Sequence, residues 1–439
     1  MQYISSLLFI LCLGTGIYLF ATKVKKIRRN ILLGKDLNRS DNPSARWKNM
    51  IRVALGQSKM VSRPVAGLLH ILVYAGFIII NIEVIEIIID GIFGTHRVFS
   101  VLGFFYDFLI ASFELLAVLV ILACAIFLIR RNVLKIKRFW NKEMTTWPRN
   151  DANIILVSEI ILMSLFLFMN AADLQLQSIG SAHYSQAGAF PFSGIIANSF
   201  LSTLNESTLI AIERSCWWLH ILGILAFLNY VPYSKHFHIF LAFPNTYYAN
   251  LEPKGKFGNM DTVTQEVKLM LNLPVENAEQ NQSAPQPFGA RDVQDLTWKN
   301  LMDAYSCTEC GRCTSACPAN ITGKKLSPRK IMMDTRDRVE EVGKGIDQNG
   351  KEFTDNKALL GDYISAEELW ACTSCNACVD ACPVNIDPLN IIIEMRRYLV
   401  MEKSEAPAEL NGMFTRLENN SAPWQFAQSD RMNWAKENE

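Results

Sequence analysis

The chain has 439 residues, half of them apolar, and a formal net charge of only +1. That length accommodates two or three domains, and the near-neutral balance without a basic stripe excludes a nucleic-acid-binding face. The average hides two unlike halves: the first part carries long apolar runs, and the last part is polar and holds most of the acidic residues.

The N-terminal run MQYISSLLFILCLGTGIYLFATKVKKIRR places its basic residues after the apolar core, the reverse of a secretory signal. An apolar run of about 20 residues spans a bilayer, so it reads as a first membrane helix. Four more spans are expected at 64–90, 101–129, 152–172 and 207–232. Residues 23–63 contain twelve Lys/Arg against Asp36 and Asp41, and residues 130–150 contain seven against one Glu. Residues 173–212 contain no Lys or Arg. The positive-inside rule then sets the N-terminus in the periplasm and everything after 233 in the cytoplasm, for a multi-pass protein of a bacterial inner membrane. The uncharged stretch within 173–206 is expected to cap the periplasmic mouth of the bundle.

Six histidines occur, all in the membrane half. His70 falls on the second expected helix and His220 on the fifth, and these run in opposite directions. Facing imidazoles are the usual way a helix bundle grips haem b; an interhelical hydrogen bond is the plainer alternative. Counting from the membrane edges offsets the two by roughly 10 Å at about 1.5 Å per residue. If tilt does not close that gap, His238 or His236 becomes the partner of His70. Met60 is the remaining candidate for a further ligand. Glu83, Glu86, Asp107, Glu114, Glu159 and the Glu213–Arg214 pair lie in or near the spans, as proton relays or as helix-to-helix pairs.

The polar run ENAEQNQSAPQPFG cannot form a core and reads as a linker. The expected organisation is a bundle over 1–245, a linker with an amphipathic segment over 246–298, a cluster-binding domain over 299–402 and a polar tail over 403–439. Trp424 and Trp434 in that tail suit either a docking surface or a core.

Eight of the eleven cysteines form two runs, Cys307-x2-Cys310-x2-Cys313-x3-Cys317-Pro318 and Cys372-x2-Cys375-x2-Cys378-x3-Cys382-Pro383. The other three, Cys12, Cys124 and Cys216, lie in apolar stretches and read as small hydrophobes. The doubled run is the spacing of two-cluster ferredoxins, in which the fourth cysteine serves the other cluster. By that rule Cys307, Cys310, Cys313 and Cys382 hold one [4Fe–4S] cluster, and Cys372, Cys375, Cys378 and Cys317 the second. Structural zinc favours paired CxxC units on a longer loop and fits poorly. Arg312, Lys324 and Lys325 either tune a cluster or are solvated surface, and the latter is the expectation.

The membrane half, over about 60–245, resembles the cytochrome b, or gamma, subunit of respiratory nitrate reductase in its five spans, its outward N-terminus and its histidines on the second and fifth helices. That resemblance implies haem b; the family uses four histidines for two haems, and this chain has one histidine on the second helix, which implies one haem, or two. Residues 300–400, with CTECGRCTSACPAN, KLSPRKI and ELWACTSCNACVDACPVNIDPLNIIIEMRR, resemble the iron–sulfur C subunit of heterodisulfide reductase. Some relatives continue into cysteine-rich CCG domains. No Cys-Cys pair occurs here, so a separate CCG-type chain is the expected partner, with an electron-transfer flavoprotein behind it.

The expected fold class is an all-α membrane bundle of five transmembrane helices followed by a mostly helical two-cluster ferredoxin domain. The expected function is membrane-anchored electron transfer between a cytoplasmic partner and the quinone pool. Two alternatives stand: the membrane subunit of a heterodisulfide- or sulfur-compound reductase, and a haem-free scaffold with redox-sensing clusters.

Overall fold

The computed structural model describes residues 2–275 and 287–436. Among these every regular element is helical, and the only β pairing is two isolated bridges. The expected all-helical class is borne out. Most of the run ENAEQNQSAPQPFG falls outside the described residues.

Five helices are long and apolar enough to cross a membrane: α1 (Gln2–Ile31), α2 (Pro64–Phe93), α3 (Phe104–Leu128), α4 (Thr146–Ser178) and α5 (Glu206–Tyr230). Helix α2 opens on Pro64, whose missing N–H is unpaired at a first helical position in any case. Asn205 caps α5 by accepting from the Thr208 amide at 2.9 Å. Helix α4 begins six residues before its apolar run, because the polar turn TWPRND stays helical, with Pro148 in the first turn where proline is tolerated.

Helix α1 packs on α2 and α5, and α2, α3, α4 and α5 follow in sequence around the bundle. Ile80, Ile110, Phe113, Ala117, Val120, Phe166 and Ile221 fill its interior. Gly76 lets α2 approach α3: a Cβ there would lie 2.6 Å from the Val120 side chain. Outward-facing Leu7, Leu11, Phe108, Leu122 and Ile161 remain exposed, as a lipid-facing surface requires.

At the end of the bundle where α2 meets α3, a polar network closes the interior. The Arg97 guanidinium pairs with Asp173 and donates to Asn170 at 2.9 Å and Tyr106 at 3.1 Å. Tyr106 donates to Glu86 at 3.0 Å. The expected capping stretch does more than cover this mouth. The amides of Phe192 and Ser193 donate to Glu114 at 2.9 and 3.1 Å, which draws the loop inward and buries Phe190, Ser193 and Ala197.

The opposite end carries the second half of the chain. After α5 come α6 (His238–Tyr247), α7 (Asp261–Met270), α8 (Trp298–Ser306), α9 (Arg312–Ala316), α10 (Pro328–Asn349), α11 (Ala377–Ala381), α12 (Pro388–Arg397) and α13 (Ala408–Asn420). One hydrophobic core joins Ile27 and Ile31 of α1 to Phe237 and Ala242, and continues into Leu301, Ile331 and Ile391. Helix α1 thus leaves the apolar zone and becomes part of the second half. Its Asn30 donates to the Tyr305 hydroxyl at 2.9 Å, and Arg29 donates to the Gly343 carbonyl at 2.9 Å. Beyond it, the Lys35 amide donates to the Leu296 carbonyl at 2.7 Å.

Candidate metal centres

The two cysteine runs fold alike because the same backbone devices recur at the same places. In each, two residues with positive φ bend the chain: Glu309 and Gly311 in the first, Ser374 and Asn376 in the second. Gly311 and Asn376 then begin the single-turn helices α9 and α11, which end at the extended residues Cys317 and Cys382, each followed by proline. Helices α9 and α11 pack together, so each run's fourth cysteine reaches the other run. The Cys313 thiol lies in the field of Cys310, Cys307 and Cys382, and also of Cys378. Cys372 feels Cys317 and Cys375, and Cys378 feels Cys372 and Cys317. The fourth cysteine of each run thus lies near the other run, the arrangement that crossed ligation would use.

Burial pushes the thiols of Cys307 and Cys378 up to about 12, and that of Cys382 up to about 11. A bound metal supplies the positive charge that a buried thiolate lacks, so loading these sites releases protons. Part of the compensation is already built in. The Ser374 amide donates to Cys372 Sγ at 3.4 Å, and the Ile386 amide to Cys382 Sγ at 3.3 Å.

Arg312 is a correction to the expectation of solvated surface. It is buried, and its guanidinium donates to the Lys59 carbonyl at 2.8 Å and the Ser62 hydroxyl at 3.3 Å. Lys59 in turn donates to the Cys382 carbonyl at 3.1 Å. The segment before α2 is thereby seated on the cysteine loops. Lys324 and Lys325 are exposed, as expected, and Lys325 pairs with Glu367. Glu309 is a buried acid in a left-handed conformation between two of the cysteines. Burial raises its pKa, but Arg336 and Lys235 outweigh that and hold it below the usual carboxylate range. Their nitrogens lie 2.8 and 2.5 Å from its oxygens.

Three of the six histidines gather at this same end. The rings of His70 and His238 are 6.4 Å apart at 42°, and His236 lies 5.5 Å from His238. His70 Nδ1 is buried without a hydrogen-bond partner. His238 Nδ1 faces the Lys235 carbonyl at 3.0 Å, which leaves Nε2 as its free nitrogen. An iron ~2 Å from a nitrogen of each ring would set the centroids about 6 Å apart, so this pair fits a bis-histidine haem. His220 is placed elsewhere. Its Nδ1 lies 2.9 Å from the Leu162 carbonyl, and it shares a cavity with Val73, Gly76, Ile80 and Glu159. It thus faces α2 farther along than His70, in the direction of the offset counted from the sequence. Met60 Sδ accepts from Arg312 at 3.6 Å.

Sequence reasoning missed one cluster. His96 and His183, 5.5 Å apart, border a cavity of about 350 Å3 at the far end of the bundle, together with Glu83, Asp90, Asp173 and Glu213. No spacing signal announces it, because its members come from different helices and loops. Of the acids weighed as relays or pairs, Glu86, Asp107, Glu114 and Glu213 are all hydrogen-bonded, whereas Glu83 Oε2 is buried and unpartnered.

Residues 306–386 match the family described as the 4Fe-4S dicluster domain. Over 99% of its length the chain is 29% identical to the "Probable iron-sulfur-binding oxidoreductase FadF" of Bacillus subtilis, of which it covers 61%. Over 98% of its length it is 28% identical to the "EtfAB:quinone oxidoreductase" of Syntrophomonas wolfei, of which it covers 59%. Over 23% of its length it is 34% identical to the C subunit of the "Ferredoxin/F(420)H(2)-dependent CoB-CoM heterodisulfide reductase" of Methanosarcina acetivorans, of which it covers 49%. The chain thus spans about three-fifths of the first two relatives. No solved structure matches. The chain contains a 4Fe-4S dicluster ferredoxin domain and is similar, along nearly its whole length, to iron–sulfur oxidoreductases.

Proposed function

We propose that the chain carries electrons between a cytoplasmic CCG-type or flavoprotein partner and the quinone pool of the inner membrane, as the membrane-anchored part of an oxidoreductase. The observation that carries this reading is one of placement: the two cysteine runs are seated, through Arg312 and Lys59, on the end of the bundle where His70, His236 and His238 lie. Cys307, Cys310, Cys313 and Cys382 would hold one [4Fe–4S] cluster, and Cys317, Cys372, Cys375 and Cys378 the other. His70 and His238 would hold haem b in a bundle of the nitrate reductase gamma kind. Bound clusters and haem supply one-electron redox chemistry. The protein's share is position. Arg312 ties the cluster loop to the segment leading into α2, and the Lys235 carbonyl orients His238. The name of the Syntrophomonas relative supports the quinone and flavoprotein assignments.

A reductase acting on sulfur compounds is the second reading. It is favoured by the likeness to the D subunit of the "Dihydromethanophenazine:CoB--CoM heterodisulfide reductase" of Methanosarcina acetivorans, 28% identical over 33% of this chain. In both readings this chain conducts electrons and a partner or quinone is transformed.

The test is a dithionite-reduced minus oxidised spectrum of detergent-purified protein with pyridine haemochrome quantitation. One or two b haems per chain are expected. His70→Ala and His238→Ala should each remove a b-type band that His220→Ala retains. A spectrum without haem in the parent protein sinks the haem assignment and leaves the bundle as an anchor for the clusters.

A further inference from the structure

A large cleft lies at the junction of the two halves, with a volume of about 860 Å3. Small-molecule sites have volumes of about 300 to 1,000 Å3. One side is the end of the bundle: Trp147 and Asp151 of α4, then Tyr230, Tyr233 and Lys235 at and beyond the end of α5. The other side comes from the ferredoxin domain, including Glu309 and Arg336. Glu309 lies between Cys307 and Cys310, and it lines both this cleft and the pocket enclosed by the cysteines. The cleft therefore begins one side chain away from the first cysteine group.

We propose that this cleft binds the quinone headgroup. The inference rests on the quinone-linked function proposed above and adds where that substrate binds and from which side its protons come. Three observations carry it. Trp147 and Tyr233 are 52% and 61% exposed on the bundle surface at the helix ends, the level at which aromatic side chains mark the membrane boundary. A molecule dissolved in the bilayer can enter there. The lining carries five cationic and six carboxylate side chains, so it has no excess of positive charge to select an anionic headgroup. Proton-bearing groups are linked along one wall: the Tyr230 hydroxyl donates to Asp151 at 2.5 Å, the Lys235 amide donates to Asp151 at 3.2 Å, and Lys235 Nζ reaches Glu309 at 2.5 Å.

Quinone reduction adds two electrons and two protons; two C=O π bonds are lost and two O–H bonds form. The two [4Fe–4S] clusters that the eight cysteines would hold would supply one electron each, which would account for both electrons. Tyr230, held by Asp151, passes one proton to the nearer carbonyl oxygen and is reprotonated from solvent on the ferredoxin-domain side, which also supplies the second proton. Proton uptake is then on the side of the basic loops.

The full chain in nanodiscs is illuminated with a photoreactive azido-naphthoquinone, and labelled peptides are mapped with and without excess menadione. Menadione-sensitive labelling within 143–151 or 230–237 is expected. Tyr230→Phe should keep that labelling and the reduction of ferricyanide, yet lower kcat for menadione reduction at least tenfold with little change in KM. Three outcomes overturn the site: labelling at the His220 cavity or the far end of the bundle, labelling here displaced by anionic lipid but not by menadione, or full menadione reduction by the Tyr230→Phe protein. Absence of both saturable labelling and quinol formation by reduced wild-type protein overturns the quinone function itself.

Discussion

Arg312 and Lys325 show what a residue's identity does and does not reveal. Both are cations beside cysteine runs. One is buried and binds the backbone leading to α2, whereas the other pairs with Glu367 in solvent. Spacing along the chain cannot separate them, because burial depends on what a distant segment places opposite. Asp334 offers a titratable case. Burial pushes its carboxyl up from 3.8 to about 6, against the opposing pull of Lys330 at 2.7 Å. A raised folded-state value means the folded protein prefers the neutral acid. Stability from this group is present below the unfolded value and is lost as pH rises through about 6. Asp334→Asn should therefore raise the melting temperature more at pH 7.5 than at pH 5, the difference corresponding to at most about 1.5 kcal/mol. Equal effects at both pH values would show that Asp334 ionises freely.

Helices show the same division. The existence of all five spans was legible, because each is a long apolar run and a bilayer demands about 20 such residues. Their ends were not. Helix α4 spans Thr146–Ser178 rather than the apolar 152–172, since hydropathy does not register polar turns that remain helical. The last turns of α1 bury Ile27, Asn30 and Ile31 against the ferredoxin domain. The joint is tight: a Cβ on Gly343 of α10 would lie 2.4 Å from the Asn30 side chain. Gly343→Ala should accordingly cost about 1–3 kcal/mol by overpacking. The readout is earlier thermal release of the ferredoxin domain to limited proteolysis. An unchanged profile would mean that α1 does not brace the domain.

For the whole molecule, the ferredoxin domain sits at the end of the bundle that also holds the basic loops 23–63 and 130–150. Lys59, Arg138 and Glu143 all touch cysteine-run or α10 residues. One end is therefore rich in cations and cysteines, and the other holds the His96–His183 cavity and the inserted loop. With positive charge retained in the cytoplasm, alkaline phosphatase fused after residue 182 should be active. Green fluorescent protein fused after residue 275 should fluoresce. The reverse pattern would invert the assignment and place the cysteine domain outside.

The sequence alone determined the helical class and the number of spans, and it supplies the expectation of crossed ligation by the cysteines. Each is written in a local period: apolar run length, or the spacing x2, x2, x3 before a proline. Only the tertiary structure decided which histidine faces which. Axial offset and rotation depend on how helices pack, so His70 meets His238 and His220 turns into a cavity of its own. The seat of the ferredoxin domain and the cleft beneath it likewise have no local signature. They arise from contacts between residues far apart in the chain, such as Lys59 with Arg312 and Lys235 with Glu309, where the ends of two separately legible halves happen to meet.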